Sequence, residues 1–122
     1  MRLNPDCIRA ILLFVEDHPP GAEIVIPEKL PDALSQYSFQ EVQYHAEQCD
    51  QSGFLNGFKH TILGEIKIDS LTPEGNKFLD TIRPDTVWEK TKATAAKVGS
   101  ASLDFISKTA PLVFAEWVKK QL

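Results

Sequence analysis

Cysteine is scarce in this chain. Its 122 residues hold two, Cys7 and Cys49, far apart and in no CxxC arrangement. They read as buried, reduced thiols, with a disulfide or a reactive thiol as the alternative. Histidine is almost as sparse: His18, His45 and His60 have no metal-ligand spacing with one another or with the cysteines. The glycines make no phosphate-cradling loop, since Gly53 and Gly57 are wrongly separated for one. No apolar run reaches the roughly 20 residues a bilayer span needs. The opening Met1 to Asp6 lacks signal-peptide character. The expectation is a cytoplasmic protein with no membrane segment, no metal and no cofactor.

Catalytic groupings are missing too. The carboxylates are scattered along helix surfaces, with no cluster suited to acid–base work. Ser38, Ser70, Thr72 and Ser100 read as helix caps rather than nucleophiles. His45 stands one helical turn before Cys49, a weak nucleophile–base signal whose ordinary reading is packing. His18 ends the first helix, where a cation suits the dipole. The chain is expected not to be an enzyme.

What is present is an ordinary globular composition, 43% hydrophobic and 25% charged, at the length of one domain. Asn4-Pro5-Asp6 starts a helix over residues 5 to 17, carried by Ile8, Ile11, Leu12 and Val15. Pro19-Pro20-Gly21 stops it. Glu23 to Ile26 is a short β-branched strand, and Pro27 to Ser35 a short helix or turn. Ser38-Phe39-Gln40-Glu41 is a capping box opening a helix that Gly53 closes. Phe58, His60 and Ile62 then alternate with polar residues, Gly64 turns the chain, and Ile66 and Ile68 alternate again: a β-hairpin. Thr72-Pro73 restarts a helix through Ile82. Beyond Arg83-Pro84-Asp85, one helix runs to Gly99, and another runs from Ser100 to the end with a kink expected at Pro111.

Helix, strand, short helix, capped helix, hairpin, helix is the order of a winged helix-turn-helix. The fold class expected is therefore α+β, mostly α. Residues 1–84 form the winged-helix core, and 85–122 a helical extension packed on that core or on a second subunit. At this level the chain resembles a known family. The segments "LNPDCIRAILLFVED", "YSFQEVQYHAEQCDQSGFL", "DSLTPEGNKFLDTIRPD" and "VWEKTKATAAKVGSASLDFI…VKKQL" together look like an uncharacterised domain-of-unknown-function family of Gram-positive bacteria and their phages and prophages. The resemblance covers nearly the whole chain. It implies a winged-helix core and a phage or prophage origin, and brings no assigned activity or catalytic residue.

The fold makes DNA binding the first functional hypothesis, and charge argues against it. In such folds the third helix enters the major groove, and Lys and Arg supply most of the affinity by neutralising phosphates. From Ser38 to Ser52 there is no Lys or Arg, while Glu41, Glu47 and Asp50 are present. Gln40, Gln43, Gln48 and Gln51 could read bases, but from an acidic surface. The wing offers Lys59, His60 and Lys67, partly offset by Glu65 and Asp69. Net charge is −4, divided as −6 through Pro84 and +2 beyond it, so the basic part is the tail.

In the last helix Phe105, Ile106, Val113, Phe114, Trp117 and Val118 make a broad apolar face, which predicts a homodimer through the C-terminal helices. The function expected is a non-catalytic protein-interaction module. Its candidate surface is Gln40, Gln43, Tyr44, Glu47, Gln51, Lys59, Lys67 and Trp117. The alternative is a dimeric DNA-binding transcriptional regulator.

Overall fold

The structure is a computed structural model describing residues 1–99 and 102–122. Local capping chemistry sets its helix boundaries. Helix α1, Pro5–Glu16, starts at Asn4, whose Oδ1 accepts the Asp6 amide at 3.0 Å. Helix α2, Phe39–Gln51, has the full capping box: the Glu41 amide donates to Ser38 Oγ at 3.1 Å, and the Ser38 amide to Glu41 Oε1 at 3.0 Å. Its far end closes at Gly53, φ +80°, where the Phe54 amide reaches the Cys49 carbonyl at 2.9 Å and the Gly53 amide reaches that of Asp50 at 3.0 Å. That pair of bonds is a Schellman ending.

Helix α3, Pro73–Ile82, is capped by Thr72, and α4, Asp85–Lys97, follows Pro84. Helix α5, Leu103–Gln121, is capped by Ser102 and runs on through Pro111 as one element. Ser70 is not a cap: it lies in a strand. The cap expected at Ser100 falls outside the described residues.

The strands are β1, Ile24–Ile26; β2, Leu55–Asn56; β3, Lys59–His60; β4, Ile66–Ile68; and β5, Ser70–Leu71. A three-stranded antiparallel sheet has the order β1-β4-β3, with Ile24 opposite Ile68 and His60 opposite Ile66. A second ladder, β2 with β5, had no counterpart in the sequence pattern. Pro27 to Ser35 holds a single 3-10 turn, Asp32–Leu34.

The hairpin departs from its expected alternation. Its loop begins at Thr61, whose amide donates to the Glu65 carbonyl at 2.9 Å, while the Gly64 amide returns to the Thr61 carbonyl at 3.0 Å. Gly64 takes φ +83°, the left-handed position of a three-residue loop. Ile62 therefore leaves the ladder instead of sharing a packed face with Phe58 and His60. Ile62 is 104% exposed and Leu63 80%.

The isoleucines of β1 and β4 pack with Ile8, Ile11 and Leu12 of α1 and with Leu79 and Ile82 of α3. Each such burial contributes about 1.5–3 kcal/mol. The same cluster takes in Trp88 and Ala95 of α4 and Leu103, Ile106 and Ala110 of α5. The extension thus packs on its own core. Trp88 Nε1 donates to Asp6 Oδ1 at 2.8 Å, and Lys92 Nζ to the same oxygen at 2.9 Å. Arg9 and Lys92 both lie over the Trp88 ring, 5.9 and 5.6 Å from its centre. The molecule is α+β, mostly helical, with small antiparallel sheets.

Candidate interaction surface

Helix α2 buries Val42, His45, Ala46 and Cys49 and turns its polar residues outward. Gln40 and Gln51 are exposed at its two ends, with Gln43, Tyr44 and Glu47 half-buried between them. The ring of Tyr44 stands edge-on to His45, 4.9 Å between centres. The Glu41 carboxylate serves its own cap. Glu47 Oε1 meets His60 Nε2 at 3.1 Å, linking the helix to β3 across a surface pair. His60 is therefore neither a core residue nor free of partners.

The hairpin carries its two lysines on one face. Lys59 stands opposite Lys67 in the β3–β4 register, like charge against like. The acid that meets Lys67 is Glu23, at 3.0 Å. Sequence reasoning assigned that part to Glu65 and Asp69. The sheet register explains the change: Val25 pairs with Lys67, so Glu23 falls two residues along on the same face. Glu28 was missed altogether. Its carboxylate lies beside the loop tip, so that a Cβ at Gly64 would sit 3.3 Å from Glu28 Oε1. The tip thus presents two bare aliphatic side chains, Ile62 and Leu63, with Glu28 and Glu65 beside them.

Trp117 belongs elsewhere. It is half-buried on α5, lines a recess of about 80 Å³ with Thr86, Val87 and Lys90 of α4, and has Phe114 5.9 Å away between ring centres. Helix α5 packs on α4 and α3, whereas α2 packs on α1 and β2. Of the eight expected surface residues, five lie on α2; Lys59 and Lys67 lie on the hairpin face opposite the one from which His60 meets Glu47, and Trp117 lies apart on α5.

The Cys49–His45 neighbourhood is committed to packing. His45 Nε2 accepts the Asn4 amide at 2.7 Å, which leaves Nδ1 to donate to the Glu41 carbonyl at 2.6 Å. Both ring nitrogens are thereby used, and neither serves Cys49. Both cysteines are free and buried. Burial, then the Glu41 charge, pushes the Cys7 thiol up to about 12. Burial also raises Cys49, with smaller contributions from Cys7 and Asp50. His18 Nδ1 bonds the Phe14 carbonyl at 2.8 Å, a bond that ties down the end of α1. Among the described residues no group of three or more His, Cys, Asp or Glu could hold a metal ion, and no helix is long and apolar enough to cross a membrane.

No solved structure matches the chain. A protein of Haemophilus influenzae, described as "Uncharacterized protein", is 31% identical over 119 residues, covering 95% of this chain and 98% of its own. Residues 2–102 match the family described as "Hypothetical protein (DUF2513)", and the chain belongs to that family.

Proposed function

We propose that this protein is a non-catalytic winged-helix module that binds a protein partner through α2 and the β3–β4 hairpin, in the cytoplasm and without a cofactor. The element order and the strand order β1-β4-β3 fit that fold. The observation that carries the reading is the charge of the face a winged helix would turn to DNA. Helix α2 has no Lys or Arg in its 13 residues, and the hairpin tip ends in Ile62 and Leu63 beside two carboxylates. Phosphate would be repelled there, whereas a protein surface with an apolar recess would fit. The bonding of both His45 nitrogens and the burial of Cys49 support the non-catalytic part. Two free, buried thiols suit a reducing compartment.

The second reading is a dimeric DNA-binding transcriptional regulator. The exposed amides of Gln40 and Gln51 and the Lys59–Lys67 pair favour it. An origin among phages or prophages of Gram-positive bacteria rests on the sequence resemblance, and the Haemophilus influenzae relative adds nothing to it.

Fluorescence anisotropy with a mixed-sequence duplex at low salt tests the reading. The expected result is no saturable binding in the roughly 1–100 µM range where non-specific DNA binders engage. Saturable binding that weakens steeply with salt would overturn it. The second arm is affinity capture from host lysate after nuclease treatment. A captured protein lost on Tyr44→Ala or Ile62→Ser/Leu63→Ser supports the reading.

A further inference from the structure

Helix α5 hides one side and leaves another bare. Leu103, Ile106, Ala110 and Val113 are buried against the molecule. On the outer side the row that steps by four residues is Asp104, Lys108, Leu112, Glu116 and Lys120, and every member is exposed. Residues four apart are neighbours on a helix, so these five make one continuous ridge. Leu112 is its centre and also the midpoint of the helix, nine residues from Leu103 and nine from Gln121. It is a large aliphatic residue standing 71% exposed in mid-helix.

The order of charges along the ridge is acid, base, leucine, acid, base. Turned end for end against itself, that order is self-complementary. The row winds about 40° per step, so the members that share a face with Leu112 are Lys108 and Glu116: Lys108 meets Glu116, and Leu112 meets Leu112. Laid parallel against itself, each charge meets its own kind. We infer that this face of α5 docks on a second copy of the chain, antiparallel, about a two-fold axis through Leu112. Such an axis generates each contact twice, giving two Lys108–Glu116 ion pairs around an apolar centre.

The contacts these side chains make within one chain do not oppose the docking. Lys108 reaches Asp104 at 3.1 Å and Glu116 reaches Lys90 at 3.6 Å, with all four side chains more than half exposed. Surface pairs of this kind are weak and exchange readily. The contact area of one helix pair is small, so the dimer is a weak one. The inference is independent of the role proposed for α2 and the hairpin, whose residues lie on other elements.

Sedimentation equilibrium of the full chain tests it, over about 10 to 500 µM, a range that brackets a weak dimer. A monomer–dimer equilibrium is expected for the natural sequence. Lys108→Glu and Glu116→Lys, each alone, set like charges against one another twice and weaken the dimer at least about tenfold. The double variant Lys108→Glu/Glu116→Lys restores the pairs and brings the constant back to within about threefold of the starting value. Leu112→Ser weakens the dimer as the single charge reversals do. Far-ultraviolet circular dichroism confirms that each variant is folded, as expected for exposed positions. A natural sequence that stays monomeric throughout overturns the inference. So does a dimer that ignores the single reversals, or one that the double variant fails to restore, since either places the interface elsewhere.

Discussion

Gly75→Ala is expected to destabilise the protein, against the usual rule for a helix. Gly75 is the third residue of α3, and by intrinsic propensity alanine there should stabilise by about 0.8–1.0 kcal/mol. Its surroundings forbid that gain. A Cβ on Gly75 would sit 2.3 Å from the carbonyl oxygen of Phe54 and 3.1 Å from its carbon. Those are backbone atoms, so no rotamer change relieves the contact. The carbonyl is held by the Thr72 amide at 3.0 Å, and the Phe54 ring is stacked on Phe78 with centres 5.1 Å apart. Relief means sliding the start of α3 off the β2 entry by close to an ångström. Overpacking of this kind costs about 1–3 kcal/mol, and the strained Thr72 bond about 1 kcal/mol more. After the propensity gain the net loss is about 2 kcal/mol. For a chain of this size that lowers Tm by roughly 6–12 °C. Urea unfolding followed by tryptophan fluorescence measures it; Gly75 is the test position because, unlike Gly21 at φ +82°, it has no positive φ and meets the added Cβ only through the close approach of Phe54. An unchanged or raised midpoint for Gly75→Ala would refute the reasoning, because propensity would then outweigh the close approach.

Further outcomes follow from the core and its edges. His45→Leu leaves the Asn4 amide and the Glu41 carbonyl without their partner. It should cost about 2 kcal/mol or more in urea unfolding; a loss under about 0.5 kcal/mol, the scale of a neutral surface change, would deny the bridge its role. A thiol reagent at about pH 8 should label neither cysteine in the folded protein and both after denaturation, since burial raises both thiols. Labelling at the rate of a free peptide thiol would contradict this. Burial alone would raise the Asp6 carboxyl, but the bonds from Lys92 and Trp88 outweigh it and hold the group below its usual range. The bond from Arg83 does the same for Glu16. Both are depressed in the fold, so their stabilisation is fully present above the ordinary carboxylate range and fades as pH falls through the folded values. Asp6→Asn should therefore flatten the fall in urea stability between about pH 5 and pH 3, and an unaltered slope would count against the ion pair.

Features written within a few residues of one another were legible in the sequence. Asn4, Ser38 with Glu41, and Thr72 all cap as their spacing says, because a cap needs partners only two or three positions away. The order of the elements and the closure at Gly53 were legible for the same reason. Ile62 was misplaced because alternation does not say where a ladder gives way to its loop. The β2–β5 ladder was missed because two-residue strands leave no period to read. Contacts between distant segments were beyond reach. Asn4 with His45, Lys67 with Glu23, and Asp6 with Trp88 each join residues whose proximity depends on the finished packing. On the candidate surface the residue types were readable, but the tip, with Glu28 beside bare Ile62 and Leu63, emerges only from the loop geometry.

The Asp6 carboxylate that receives Trp88 and Lys92 ties the first helix to the fourth across more than eighty residues. During synthesis α1 leaves the ribosome long before Trp88 and Lys92, the partners of Asp6. Helix α3 packs against α1 and also against α4 and α5, so the part of the core that Trp88, Leu103 and Ile106 complete closes only after α1, α2 and α3 have been made. A fragment ending at residue 84 would lack Trp88, Leu103 and Ile106, all members of the same core cluster. The side chains of α4 and α5 are thus part of the interior that α1 helps to build, and the Asp6 carboxylate joins its two ends.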